Sequence, residues 1–138
     1  MIGYFMALAA VSVAFTQAGP AEDIVYDLPW VDLKNSGTKL WSGYINIPYS
    51  TKRIHYLLVE SQSDPENDPL LLWYNGGPGC SSMLGFMQEH GPFTWANGDS
   101  NFTGENPYSW NREANVLYIE QPAGVGYSYF ASPEDIGF

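Results

Sequence analysis

Three of the four residues 76–79 are glycines (Gly76, Gly77 and Gly79), and two serines, Ser81 and Ser82, follow them closely. Glycines permit a sharp turn whose backbone N–H groups stay exposed, and the serines are typical N-cap residues of a following helix. Exposed N–H donors beside a helix N-terminus form an anion site. The anion that this pattern predicts is a phosphate, a substrate carboxylate or the oxyanion that develops during acyl transfer.

Phosphate is excluded by the residues around this turn. No lysine or arginine lies near it, the pattern G-x-x-x-x-G-K-[ST] is absent, and Ser82 stands at the last glycine of G-x-G-x-x-G. The chain of 138 residues carries 15 acidic and 5 basic side chains, for a net charge of −10. Nucleic-acid binding needs a cluster of basic residues, so we expect no nucleic-acid partner.

Metal and nucleophilic chemistry find little support in the sequence. His55 and His90 are far apart and neither is paired with a cysteine at ligand spacing, so we predict no metal site, no cofactor and structural roles for both histidines. The nucleophile elbow G-x-S-x-G is missing, and the two nearest sequences, at residues 79–83 and 126–130, lack its final glycine. We therefore reject both as nucleophiles, and the oxyanion and carboxylate interpretations of the turn remain.

The elements around the turn predict an α/β fold in one domain. Strands are expected at residues 39–47, 53–60, 70–74 and 115–120, of which the first two form an antiparallel hairpin and the third is buried. A second glycine-rich loop follows the last of these strands, at residues 121–126. Strands that lead into glycine loops and helices are typical of an α/β sheet whose ligand loops gather at the strand C-termini.

A short helix is expected at residues 82–90, directly after the glycine turn. Its apolar face would consist of Met83, Phe86, Met87 and His90, with His90 at the C-terminus, where a cation is favoured. Residues 22–38 and 93–113 show no periodicity and are expected to be irregular, and residues 132–138 resemble the start of a helix.

The N-terminal sequence predicts that the protein enters the secretory pathway. Residues 2–15 are apolar or small and uncharged, which suits a signal peptide cleaved after Ala18 or Ala21 and falls short of a membrane span, so we expect no stable membrane anchor. The alternative is an N-terminal core helix. Asn101 begins a glycosylation sequon in an exposed loop. Cys80, the single cysteine, implies an intermolecular bond, a reactive thiol or a missing partner.

Four blocks of sequence occur in an order that resembles the serine carboxypeptidase family. They are W-Y-N-G-G-P-G-C-S-S at 73–82, E-H-G-P at 89–92, N-P-Y-S-W-N at 106–111 and A-N-V-L-Y-I-E-Q-P-A-G-V-G-Y-S-Y at 114–129, and W-S-G-Y at 41–44 extends the match. The resemblance implies an α/β-hydrolase that removes C-terminal residues from peptides with a Ser-Asp-His triad. In such proteins the nucleophile lies in a later G-E-S-Y-A-G block, so residues 22–138 look like the N-terminal part of the catalytic domain, an incomplete α/β-hydrolase.

The resemblance also implies roles for individual residues. Gly77 would supply a backbone N–H to the oxyanion hole, the substrate's terminal carboxylate would be recognised by Trp73, Asn75, Gly76 and Glu89, and Cys80 would form a disulfide with a cysteine outside this chain. A carboxyl group beside a carboxylate can share a proton with it, so we expect Glu89 to bind substrate in its protonated form and activity to fall as pH rises. The alternative for Glu89 is a solvated helix residue.

The substrates implied are peptide or protein C-termini, in a secreted protein or one routed to a lysosome-like or vacuole-like compartment. Because the chain lacks a nucleophile–base pair, the 138 residues alone are expected to be inactive. Two alternatives stay open, namely an acyltransferase on the same scaffold and a non-catalytic binding protein or truncated product.

Gly85 is costly inside a helix, by about 1 kcal/mol relative to alanine, which predicts close packing at that position.

Overall fold

A computed structural model describes residues 19–29, 31–95 and 102–136. The predicted signal peptide and Asn101, the first residue of the sequon, lie outside the described residues, so cleavage and glycosylation both stay predictions. Among the described residues, no helix has the length and apolar character needed to cross a membrane.

The predicted α/β sheet is present and is mixed. The described strands are β1 Leu40–Asn46, β2 Arg53–Val59, β3 Leu70–Trp73, β4 Phe93–Trp95, β5 Phe102–Glu105 and β6 Asn115–Ile119. The main sheet has the order β1-β2-β6-β3, with β1–β2 and β2–β6 antiparallel and β3–β6 parallel. The predicted hairpin is confirmed, because Leu40 pairs with Val59 at one end and Asn46 with Arg53 at the other.

The main core lies on one face of this sheet. It combines strand residues with residues of the segment that follows the glycine turn, and its buried members include Leu40, Leu57, Val59, Val116, Tyr118, Met83 and Phe86. A smaller cluster of Trp41, Tyr56 and Leu58 lies apart from it. The sheet therefore fixes the position of the residues after the turn through apolar contact.

The prediction that the third strand is buried is wrong for the described residues. Leu70, Leu71 and Leu72 are 54 %, 37 % and 52 % exposed. The reason is topological, because among the described strands β3 pairs with β6 alone and therefore lies at the edge of the sheet. An edge strand of leucines presents both apolar side chains and unpaired backbone groups.

Two of the segments expected to be irregular contain regular structure. Residues 93–113 include the antiparallel pair β4–β5 and a 3₁₀ turn, Trp110–Arg112. Residues 22–38 include the 3₁₀ turn Ala21–Asp23 at their start and the one-turn helix α1, Leu33–Ser36, with the Asp32 side chain as its N-cap. The helix expected at residues 132–138 is a 3₁₀ turn at Pro133–Asp135. Elements this short produce no periodic pattern that sequence alone could reveal.

Candidate functional site

The first glycine loop, residues 76–79, begins where β3 ends. Gly77 has a φ of +140° and Gly79 of +87°, and the Gly77–Pro78 peptide bond is cis. A Cβ added at Gly77 would lie 3.1 Å from the Cys80 backbone nitrogen and from its Sγ. Both the backbone conformation and the space therefore call for glycine at position 77.

The backbone N–H groups of Gly76 and Gly77 point to no acceptor. Within the part of the chain that the structure describes, neither donates a hydrogen bond, and both residues are exposed. A Cβ at Gly76 would meet nothing within 4 Å. Two adjacent unpaired donors with open space beside them can bind an anion.

The two serines after the loop attach it to the neighbouring strand β6. Ser82 Oγ accepts from the Asn75 N–H at 3.2 Å and donates to the Ile119 carbonyl at 2.6 Å. Ser81 Oγ accepts from the Met83 N–H at 3.1 Å, as an N-cap does, and donates to the Glu120 carboxylate. Only the first of the two serines therefore acts as the expected cap, whereas the second bridges two strands.

The side chains of Trp73 and Asn75, both predicted to bind substrate, contact each other directly. The indole Nε1 of Trp73 donates to Asn75 Oδ1 at 2.7 Å. An indole N–H can only donate, so this contact fixes which end of the amide is the oxygen. The NH2 group of Asn75 is left without an acceptor among the described residues, and it is available as a donor to a ligand.

The helical turn after the loop contains a π-helix at Gly85–Glu89, closed by a hydrogen bond of 3.1 Å from the His90 N–H to the Gly85 carbonyl. The extra residue in this turn rotates Met87 away from the core, and Met87 is 39 % exposed. Its predicted place on the apolar face is therefore wrong. The close packing predicted at Gly85 is confirmed, because a Cβ there would overlap with the Trp73 indole.

His90 is buried in a box of aromatic rings, 4.3 Å from the Trp73 ring and 4.1 Å from the Trp110 ring between centroids. Burial lowers the pKa of His90 below its ordinary value of 6.5, and Glu89 opposes this shift. His90 Nε2 has no hydrogen-bond partner among the described residues. Burial thus acts against the positive charge that a position at a helix C-terminus favours.

Glu89 lies at the rim of this box. Its side chain is 48 % exposed, and its Oε2 is 3.9 Å from His90 Nδ1. The negative charge of Glu89 also adds to the effect of burial in raising the pKa of Tyr118 above its ordinary value. The structure thus connects the predicted carboxylate-binding residues through contacts, from Glu89 to His90, to Trp73 and to Asn75. Trp110 belongs to the same box; its sequence block at 106–111 contributed to the family resemblance, but no site role was predicted for it.

Cys80 is exposed and free. Among the described residues, no group of three or more His, Cys, Asp and Glu side chains could bind a metal ion.

A second polar cluster lies behind the loop and was not predicted. Glu120 is fully buried at the end of β6, and its Oε2 is 3.0 Å from His55 Nδ1. Ser42 Oγ lies 2.9 Å from His55 Nε2 on the other side of the ring. Burial lowers the pKa of His55 while Glu120 opposes the shift. In the neutral tautomer with the proton on Nδ1, the ring donates to the carboxylate and accepts from Ser42.

Comparison with known proteins finds relatives that all belong to one family. A family model described as "Serine carboxypeptidase" matches residues 29–137. Serine carboxypeptidase ctsa-3.1 of Caenorhabditis elegans is 50 % identical over 109 residues, which cover 78 % of this chain and 19 % of the relative. The Lysosomal protective protein of Mus musculus is 50 % identical over 113 residues, covering 82 % of this chain and 23 % of that protein.

A solved structure of similar fold is that of Kex1(delta)p, a prohormone-processing carboxypeptidase from Saccharomyces cerevisiae. It matches with a TM-score of 0.59 and 32 % identity, over 72 % of this chain and 22 % of that one. The chain therefore spans about a fifth to a quarter of the length of these relatives. Its sheet is part of an α/β-hydrolase fold, as predicted, and the chain belongs to the serine carboxypeptidase family.

Proposed function

We propose that this chain is the oxyanion-binding and carboxylate-binding part of a serine-type carboxypeptidase, an enzyme that removes C-terminal residues from peptides and proteins. The observation that carries the proposal is the pair of N–H groups at Gly76 and Gly77 that have no acceptor among the described residues. Beside them lies the Asn75 amide, whose oxygen accepts from Trp73 and whose NH2 is left as a donor. These N–H and NH2 groups are uncharged hydrogen-bond donors. They suit two anions of a peptide substrate, namely its terminal carboxylate and the oxyanion formed during attack.

The two anions would bind side by side. The Gly77 N–H stabilises the oxyanion, which develops only in the transition state, and so contributes to kcat. Trp73, Asn75, Gly76 and Glu89 bind the substrate carboxylate, which is present throughout the reaction, and so contribute mainly to KM. Glu89 enters this set protonated, and shares its proton with the substrate.

The acyl group is transferred to a serine that these 138 residues do not supply, because the sequence contains no G-x-S-x-G. We assign the nucleophile and its Asp and His partners to the rest of the protein. In the same proposal, Cys80 pairs with a cysteine elsewhere in the protein, which agrees with its exposure. Residues 1–18 act as a signal peptide, residues 22–138 belong to the catalytic domain, and Asn101 is glycosylated.

The location we propose is the secretory pathway, ending outside the cell or in a lysosome-like or vacuole-like compartment. The apolar N-terminus supports this location, as does the similarity to a relative named for the lysosome.

The experiment uses the complete product of the gene that encodes this chain. Release of the C-terminal residue is measured for two peptides that differ only in a free or an amidated C-terminus. We expect a clearly lower KM for the free carboxylate. Asn75→Asp places a negative charge against that carboxylate, and should raise its KM at least about tenfold, since like charges in contact cost several kcal/mol.

The matched control is Asn67→Asp, because Asn67 is exposed and lies before β3 whereas Asn75 lies after it. This variant adds the same charge and should leave KM unchanged. An inactive wild-type product would overturn the proposed function. An active product with the same KM for both peptides, or with the same response to both aspartates, would overturn the carboxylate site.

A further inference from the structure

The buried carboxylate of Glu120 joins three separate segments of the chain. It accepts hydrogen bonds from Ser81 Oγ, from His55 Nδ1 at 3.0 Å and from the Tyr127 N–H at 2.8 Å. Glu120 is 0 % exposed. A buried carboxylate is tolerated only when it is well paired, and three donors satisfy it here.

The surroundings of Glu120 leave it little freedom to move. His55 is fixed from behind by Ser42 at 2.9 Å and is itself buried. Gly126 has a φ of +54°, and a Cβ there would overlap with the Glu120 carboxyl group. The backbone at Gly126 therefore packs directly against the Glu120 carboxylate. This packing holds the carboxylate in place and makes it a rigid acceptor for its hydrogen-bond donors.

Of the three segments, the one that begins at Ser81 leads directly to the first glycine loop. Cys80 precedes Ser81, its N–H donates to the Gly76 carbonyl at 3.3 Å, and its backbone nitrogen and Sγ border Gly77. Because Cys80 is bonded to Ser81 and also contacts Gly77, a displacement of Ser81 would shift Gly77 through Cys80. The parallel bond from Ser82 to the Ile119 carbonyl acts on the same strand end.

We propose that Glu120 is a positioning residue for the oxyanion hole, which sets the place of the Gly77 N–H by binding the Ser81 hydroxyl. This role rests on the proposed function, since it gives the buried carboxylate a part in that reaction. It differs from a purely structural role in one measurable way. Misplacing a donor that acts only in the transition state lowers kcat and leaves KM unchanged.

The test uses the complete gene product, with kcat expressed per active site titrated to completion with a serine-directed organophosphorus reagent. Glu120→Gln and Ser81→Ala should each lower kcat about 10- to 100-fold, the loss that misplacement on the order of 1 Å causes, with KM within about twofold of wild type. Because both changes break the same link, the double variant should be no slower than the slower single variant.

The matched control is Ser128→Ala. Ser128 is buried in the same cluster, donates to the Glu120 backbone carbonyl at 2.5 Å and accepts from the His55 N–H at 2.7 Å, but makes no hydrogen bond to the first glycine loop. Its loss should lower the melting temperature and leave kcat per titrated site unchanged. If Glu120→Gln fails to fold, Ser81→Ala still tests the link, because it leaves two donors on Glu120.

Three results would overturn the positioning role: a wild-type kcat in Ser81→Ala, a rise of KM that accounts for the whole loss, or an equal loss of kcat in Ser128→Ala. In each of these the wild-type enzyme is active, so the proposed function survives. An inactive wild-type product would overturn the function and the positioning role together.

Discussion

The two glycine-rich loops of this chain are alike in sequence and differ in what their backbones bind. The first glycine loop, residues 76–79, follows β3. The second glycine loop, which is the predicted stretch 121–126 together with Tyr127 and Ser128, follows β6. Since β3 and β6 are parallel neighbours, both loops leave the same edge of the sheet. Each contains a cis peptide bond before proline and glycines with positive φ.

Several N–H groups of the second loop donate within the chain, although those of Ala123 and Gly126 have no acceptor among the described residues. The Gly124 N–H donates to the Ser128 carbonyl at 2.9 Å, and the Val125 N–H to the Pro122 carbonyl at 3.1 Å. The Tyr127 N–H donates to Glu120 at 2.8 Å. At the first loop, the corresponding donors of Gly76 and Gly77 have no acceptor among the described residues. The second loop is thus bonded back to its own chain at more points, and the adjacent N–H groups of Gly76 and Gly77 are the ones that we propose to bind an anion.

The largest effect that separates the loops is expected from alanine at matched glycines. Gly77→Ala forces an L residue into a φ of +140° and brings its Cβ to 3.1 Å from Cys80, so the loop must shift. We expect kcat of the complete gene product to fall about 100-fold or more, as when one oxyanion donor is removed. Steady-state kinetics per titrated active site measures this.

Gly124→Ala is the control in the second loop. Its φ of +99° is also unfavourable for alanine, and the new Cβ would lie 3.3 Å from the Phe130 ring. We expect a loss of stability of about 1–3 kcal/mol from backbone strain and an unchanged kcat. Equal losses of kcat in the two variants would show that the loops are not functionally distinct.

This difference between the loops could not be predicted from the sequence. Strand, glycines and serines are local features, and they predicted the loop, the helical turn and the tight packing at Gly85 correctly. The N–H acceptors of the second loop are local, but the side-chain bonds of the Glu120 cluster are not, because Glu120 is 39 residues from Ser81 and 65 from His55. A lone glutamate at the end of a strand gives no sign of the three donors that meet it.

Two further misses concern the helical turn after the first loop. The π-helical turn depends on one additional residue between Gly85 and His90, so a pattern with a 3.6-residue period placed Met87 in the core. His90 was correctly placed on the apolar face, but its packing against Trp110, twenty residues further along the chain, was not predicted. That contact is long-range, and local propensity could not reveal it.

A smaller effect is expected from Glu89, on the binding side of the first loop. If Glu89 shares a proton with the substrate carboxylate, KM of the complete gene product rises as pH rises and that proton is lost. Glu89→Gln keeps a hydrogen-bond donor at every pH, so its KM should vary less with pH than that of the wild type. Initial rates at several substrate concentrations, from about pH 4.5 to 7.5, give both profiles.

Glu66→Gln removes the same charge from an exposed position before β3, and should reproduce the wild-type profile. A KM that is independent of pH in the wild type, and unchanged by Glu89→Gln, would leave Glu89 as a solvated residue. The effect is smaller than that of Gly77→Ala, because the other donors to the carboxylate remain in place.

The smallest effect is the pH dependence of stability that two buried histidines cause. His90 lies in the aromatic box after the first loop, and His55 lies in the Glu120 cluster. Burial lowers the pKa of both His90 and His55 below 6.5. Between the folded and unfolded pKa values the unfolded chain binds more protons, so the stability that each neutral histidine contributes is present above pH 6.5 and lost as pH falls below it. Thermal unfolding between pH 7.5 and 5 should therefore show a falling melting temperature.

The two sites should differ in how strongly they respond to acid. Protonated His55 keeps Glu120 as an acceptor at 3.0 Å, whereas His90 has Glu89 at 3.9 Å and a buried Nε2 without an acceptor among the described residues. An unpaired buried cation is the costlier of the two. His90→Gln should thus reduce the acid loss of melting temperature more than His55→Gln does. The reverse order would mean that the Glu120 cluster, and not the aromatic box, is the acid-sensitive part of the molecule.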